Sequence, residues 1–200
     1  MINPDWLDDD SYSDEWKNSQ NIKLSDICIN ECSAKVACAI NENFHSRLPK
    51  IDWSNVVRNT HSLCYTFSYD GIYYGSAIWS SPVAQNRMKN GKQILELRRL
   101  ALGDKCPKNT ATYVLARMIK QIKKYLPEIA LLISYQDNDV HLGTIYKAGN
   151  WEKDSETKFI DWGDSRKRSK AQSKSSKTKW TYKLKEFVQD ETTDDQMELI

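Results

Sequence analysis

Leu131-Leu132-Ile133-Ser134-Tyr135-Gln136-Asp137-Asn138-Asp139-Val140-His141-Leu142-Gly143-Thr144-Ile145-Tyr146-Lys147-Ala148-Gly149-Asn150-Trp151 runs from an apolar stretch through a polar knot into a helical pattern. Ile129 to Ser134 is a short continuous apolar run, which suits a strand buried on both faces, and Pro127 closes the element before it. His141 to Ala148 reads as a helix that Gly149-Asn150 ends. Ser134 to Asn138 therefore fall at the C-terminal end of a buried strand. Open α/β sheets bind ligands there, and the following helix offers free N–H groups. Asp137 and His141 can act as a base and its orienting partner, because imidazole titrates near neutral pH and a carboxylate fixes its tautomer. Equally, Asp137 and Asn138 can cap the helix, with His141 a polar residue of its first turn.

Upstream, Ser25 is a plausible N-cap for a first helix to about Asn43, carrying Ile27, Cys28, Val36, Ala37 and Ile40. Ser62 to Tyr69 and Ile72 to Trp79 are aromatic and β-branched, and Asp70-Gly71 between them is a hairpin turn signal. Gln93 to Leu102 reads as a further strand. Pro107-Lys108-Asn109-Thr110 then opens an amphipathic helix with Val114, Leu115, Met118, Ile119 and Ile122 on one side. This order of elements predicts an α/β protein built around one mixed sheet. Arg98 and Arg99 lie on opposite faces of their predicted strand, so one faces inward; an inward arginine needs an anion, either a ligand phosphate or a structural carboxylate.

The formal net charge of +2 hides strong segregation. Residues 1–21 form an acidic, loosely docked arm, 22–187 one folded domain and 188–200 an acidic tail. Between 163 and 179 a basic loop carries Arg166, Lys167, Arg168, Lys170, Lys174, Lys177 and Lys179, and Lys179 to Phe187 is read as the last strand. No acid lies between Ser165 and Lys185, whereas a merely solvated charge run usually mixes signs. Cations interleaved with serines, Trp180 and Tyr182 suit phosphates and stacked bases, so nucleic acid is the expected partner. The five cysteines are an odd number without a C-x-x-C pair, which argues for buried thiols rather than a disulfide framework or zinc ribbon; Cys28 and Cys32 would lie one turn apart on the predicted first helix. An acidic N-terminus and the lack of a long apolar run predict a cytoplasmic protein without membrane contact.

A set of residues resembles the phage Mom family of DNA-modification proteins, distant relatives of the GNAT acyltransferases. They are Glu96-Leu97 with Arg99-Leu100-Ala101, Pro107-Lys108-Asn109-Thr110, Ser134-Tyr135 with Asp137, and His141, Gly143-Thr144-Ile145-Tyr146, Ala148 and Asn150-Trp151. The resemblance runs from about Asn43 to Trp151 and implies a GNAT-like twisted mixed sheet with helices on both faces. It also implies conversion of adenine in double-stranded DNA to N6-carbamoylmethyladenine, which masks sites from host restriction enzymes in the host-cell cytoplasm. It makes Tyr146 a general acid and puts Tyr135 and Asp137 beside the reacting amine; Asp137 with His141 is the candidate base, and Arg47, Arg99, Lys108, Asn109, Thr110, Asn150 and Trp151 are the candidate substrate- or donor-binding residues. The family's iron site depends on a His-aromatic pair, and Asn43-Phe44 stands in that place with His45 displaced; the metal is left unassigned. Lys105 to Thr112 lacks the glycines of an acetyl-CoA pyrophosphate loop. The expected donor is therefore a glycyl group, with glycyl-tRNA as its carrier, beside acyl-CoA or acetyl-CoA. Two rival functions remain open at this point: an N-acetyltransferase acting on a protein or small-molecule amine, and a non-catalytic nucleic-acid-binding module.

Overall fold

A computed structural model describes residues 22–44, 50–82, 85–157 and 175–188. In chain order the elements are β1 (Cys28–Glu31), α1 (Ala34–Phe44), α2 (Trp53–Val57), β2 (Ser62–Tyr69), β3 (Ile72–Ser80), β4 (Ile94–Leu102), α3 (Thr110–Tyr125), β5 (Leu131–Asp137), α4 (Thr144–Ala148), β6 (Glu152–Thr157) and β7 (Lys177–Lys183). The strands form a seven-stranded sheet in the order β1-β2-β3-β4-β5-β7-β6. Every neighbouring pair is antiparallel except β4 and β5.

Strand alternation sorts side chains between two cores. On one face Leu63, Tyr65, Phe67, Ala77, Trp79, Leu95, Leu97 and Leu132 pack against Val114, Leu115, Met118 and Ile122 of α3 and Tyr146 of α4. On the other, Cys64 and Ile78 pack against Ala34, Ala37 and Cys38 of α1 and Val56 of α2. Helices therefore cover both faces of a mixed sheet, as expected. The Asp70-Gly71 turn has φ 48 and 77°, the left-handed pair that a two-residue hairpin needs. Among the described residues no helix is long and apolar enough to cross a membrane.

Several expected boundaries move. The helix expected from Ser25 is a 3-10 turn at Leu24–Asp26, then β1, and only then α1, whose first turn Ser33 caps by accepting from the Val36 N–H at 3.3 Å. The apolar spacing across Ile27, Cys28 and Val36 fits a helix, but residues 28–31 complete the open edge of β2, from Cys28 opposite Ser68 to Glu31 opposite Tyr65. Cys28 is consequently exposed in a strand, not one helical turn from Cys32. Asp52 caps the unforeseen α2 through the Ser54 N–H at 2.9 Å. β5 runs three residues beyond Ser134, and the helix expected from His141 starts at Thr144. The last strand, β7, starts at Lys177, two residues before the expected Lys179, because it pairs along the whole of β5, and it ends at Lys183, short of the expected Phe187. β6, also unforeseen, is exposed throughout and joins the sheet through its pairing with β7.

Candidate active site

The site begins with a register change. Trp79 faces Leu97 across β3 and β4, but Ile78 faces Arg99, so Arg98 is the extra residue of a β-bulge. The parallel β4–β5 ladder runs from Ile94 opposite Leu131 to Leu97 opposite Ser134 and stops there. Beyond that point β4 continues paired to β3 and β5 continues paired to β7. The two central strands part, and a cleft of about 470 Å³ opens between them, lined by Leu97 to Leu102, Ser134 to Asp137 and Val140 to Tyr146.

Tyr146 stands at the inner end of this cleft. Its hydroxyl shares a hydrogen bond of 2.8 Å with Ser134 Oγ, which also lies 3.4 Å from the Leu97 carbonyl at the last rung of the ladder. The ring stacks on Trp180 at 5.4 Å and meets the edge of Trp151 at 5.5 Å. Burial pushes the Tyr146 phenol above its ordinary range, opposed by the Ser134 hydrogen bond, so at neutral pH the group holds its proton. It is thus suited to give a proton rather than to take one.

Ser134 and Gln136 face the Tyr146 side of β5, while Tyr135 and Asp137 alternate to the other; all four line the cleft because the strand edge there is open. Burial raises the Tyr135 phenol, with Glu96 and Asp154 adding to the effect. Asp137 and His141 are joined through backbone, the His141 N–H donating to the Asp137 carbonyl at 3.0 Å, and the Asp137 carboxylate accepts from the Asp139 N–H at 3.1 Å. His141 itself is exposed. Arg98 and Arg99 both line the cleft: Arg98 donates to Ser80 Oγ at 3.3 Å and lies 4.0 Å from Glu96, and Arg99 donates to the Arg98 carbonyl at 2.8 Å. Burial, then Arg98, lowers the Arg99 guanidinium to about 10, with Glu96 and Cys38 acting in the opposite direction. A half-buried cation beside an open cleft is suited to an anionic ligand.

The remaining expected residues are dispersed. Thr110 is buried, its hydroxyl donating to the Pro107 carbonyl at 2.6 Å, and Lys108 and Asn109 are exposed at the start of α3. Asn150 is exposed with φ 59° in the turn that ends α4. Trp151 is core, stacked on Trp79 at 6.4 Å, and its indole N–H finds no acceptor among the described residues. It supports Tyr146 rather than lining the cleft. Lys179 pairs with Asp154 at 3.2 Å. Arg47, His45, Arg166, Lys167, Arg168, Lys170 and Lys174 lie outside the described residues. Among the described residues no three His, Cys, Asp or Glu side chains converge as a metal site.

Two contributors were missed. Ser134 ties Tyr146 to the end of the ladder, and Gln136 accepts from the Trp180 indole at 2.8 Å while donating to the His141 carbonyl at 2.5 Å. The signal available for both was polarity at alternate positions of a buried strand.

A mixed sheet whose central parallel strands part over a cleft is the GNAT acetyltransferase fold. The N-acetyltransferase from Staphylococcus aureus Mu50 superposes with TM-score 0.59 and 13% identity over 80% of this chain and 99% of that one. The ribosomal-protein-S18-alanine N-acetyltransferase from Escherichia coli gives 0.56 and 11% over 84% and 99%. A GNAT family acetyltransferase from Elizabethkingia anophelis with acetyl-CoA bound gives 0.54 and 14% over 80% and 99%. No curated protein sequence matches the chain. Within this fold the chain belongs to the Mom protein family, whose family model matches residues 27–199.

The cleft residues fit an acyl group carried on a phosphate-bearing handle. Arg98 and Arg99 supply cations, Ala111 is small where α3 meets the cleft, and the Asn109 side chain does not cap the α3 N-terminus. In place of a glycine, Asn109 takes the left-handed φ of 70° at that entry. Asp104 and Asp137, which also line the cleft, oppose this fit with the wrong sign.

Proposed function

We propose that this protein is an acyltransferase-type enzyme that modifies the exocyclic amine of adenine in double-stranded DNA, giving N6-carbamoylmethyladenine and so masking sites from restriction. The observation that carries the reading is the parting of β4 from β5 at Leu97 and Ser134, which sets the buried Tyr146 hydroxyl at the inner end of the cleft in a chain of the Mom family. Arg98, Arg99 and the α3 N-terminus hold the donor. An ester or thioester donor supplies an activated acyl carbon.

The adenine amine is a weak nucleophile because its lone pair is delocalised into the ring, so the base must be extruded, oriented and relieved of a proton. Asp137, with His141 beside it, takes that proton, and Tyr135 flanks the base. Tyr146, kept protonated by burial, returns a proton to the leaving group. Simple acyl transfer joins nitrogen to a carbonyl, whereas the product joins it to a methylene. A glycyl group resolves this. Once it is on the amine, its own amino nitrogen attacks the same ring carbon, a five-membered ring forms, and the original carbon–nitrogen bond breaks. The former exocyclic nitrogen becomes the terminal amide, and no atom is lost. Glycyl-tRNA fits as the carrier, since the basic run from Arg166 to Lys179 suits RNA as well as DNA.

Nucleoside mass spectrometry after expression in cells fed doubly labelled glycine tests the scheme. Both glycine-derived carbon and nitrogen are expected in a modified deoxyadenosine, and Tyr146→Phe should lower its yield about a hundredfold or more without weakening DNA binding. An unlabelled modified base would overturn the glycyl route. Acetyl-CoA consumption with unmodified DNA would establish the second reading, an N-acetyltransferase, which the cationic cleft and uncapped α3 also support.

A further inference from the structure

The segment from Asp137 to Gly143 is fixed from behind. Its Asn138 side chain and its Asp137 and His141 carbonyls are tied inward, while the Asp139 and His141 side chains are exposed. Gln136 holds the His141 carbonyl and the Trp180 indole, Asn138 bonds Ser176 and Thr178 at 3.0 and 2.9 Å, and the Asp137 carbonyl accepts from the N–H groups of Val140 and His141. Its apolar side chains face water: Leu142 is 84% exposed and Val140 41%, with Tyr135 beside them at 39%. A lone exposed leucine would need no explanation. Here three apolar groups line the mouth of one cleft together with Arg98 and Arg99, and the backbone that presents them is fixed from behind. β7 runs alongside with Lys177 opposite Asp137 and with Lys179, which pairs with Asp154, opposite Tyr135. Apolar projections set among cations match a duplex, which carries phosphates outside and stacked bases within.

Resting on the reading of the site as adenine-modifying, we propose that Leu142 is a wedge. It enters the DNA stack beside the target adenine and fills the space vacated when that base turns out into the cleft, where Tyr135 receives its face. A wedge needs no hydrogen bonds. It replaces stacking contacts that would otherwise draw the base back, and it must be held rigidly, as the Gln136 and Asn138 ties hold this segment.

The test compares wild type, Leu142→Ala and Leu142→Phe on three forms of one random-sequence DNA pool: duplex, duplex with adenine opposite adenine, and heat-denatured strands. Modified deoxyadenosine is counted by mass spectrometry. Leu142→Ala should lose about tenfold or more on the paired duplex, recover to within about threefold of wild type where adenine is already unpaired, and be rescued on the duplex by the bulk of Leu142→Phe. Equal activity of Leu142→Ala and wild type on the paired duplex would overturn the wedge, and so would an equal loss on all three forms, which would assign Leu142 to the cleft itself. Wild type modifying none of the three would remove the adenine reading and the wedge with it, an outcome distinct from either result with an active enzyme.

Discussion

Two helices begin at the mouth of the cleft, and both are entered through a left-handed residue without a side-chain cap: α3 after Asn109, φ 70°, and α4 after Gly143, φ 71°. The likeness ends behind the backbone. Asn109 is exposed, whereas a Cβ on Gly143 would lie 2.4 Å from Gln136 Oε1 and 2.6 Å from the Trp180 ring. One entry is therefore open and available to a ligand. The other is packed from the rear, so that its task is to hold Tyr146 and the Val140–Leu142 segment in place. The same local conformation serves binding at one helix and positioning at the other.

Gly143→Ala should show the largest effect within this comparison. The substitution adds left-handed strain and an overlap that the Gln136 amide can escape only by giving up its hydrogen bonds and the Trp180 ring cannot escape at all. A loss of about 2–4 kcal/mol is expected, or roughly 5–15 °C in Tm for a chain of this size. Thermal unfolding measures it, and a shift under 2 °C, as a rough threshold on the same scale, would mean that the packed entry is not packed.

How much of this was readable beforehand divides along the same line of local against distant causes. The Asp70-Gly71 turn, the start of α3 at Pro107 to Thr110 and the buried strand at Leu131 carry their own signals within a few residues. β1 does not, because four residues that fit a helix as well as a strand are decided by the open edge of β2. β6 does not either: Glu152 to Thr157 is charged and exposed, and pairing with β7 is what makes it a strand. In the site, Tyr146, Tyr135 and Asp137 were found through a family resemblance, and all three line the cleft. The β5 wall of the cleft was legible as the polar end of a buried strand, but its β4 wall was not, since it arises where a bulge at Arg98 and a ladder ending at Ser134 coincide, although the unusual Arg98-Arg99 pair marks the spot. Gln136 was missed because its meaning depends on Trp180, far along the chain.

Gln136→Leu sharpens the account of the packed entry. It leaves the Trp180 indole N–H and the His141 carbonyl without their partner in a buried setting, at a cost of about 1–3 kcal/mol. Urea denaturation should show a lower midpoint at unchanged slope. Adding Trp180→Phe should recover part of the loss, because removing both members of a buried pair is cheaper than orphaning one. Additive losses would mean that the two side chains are not energetically coupled.

Asn109→Gly tests the open entry and should have the smallest effect on stability. Glycine relieves the left-handed strain that asparagine bears at φ 70°, but it also enlarges the entropy of the unfolded chain, and the two contributions nearly cancel. No cap is lost, because the Asn109 side chain makes no capping hydrogen bond. The net change should lie within about 0.5 kcal/mol, read as an unchanged urea midpoint. A larger loss would show that the α3 entry, like that of α4, is structurally committed, and the contrast between them would fail. With stability unchanged, any fall in activity that higher donor concentration restores would place Asn109 in donor binding, which is the role an open helix entry beside Arg98 and Arg99 is built to serve.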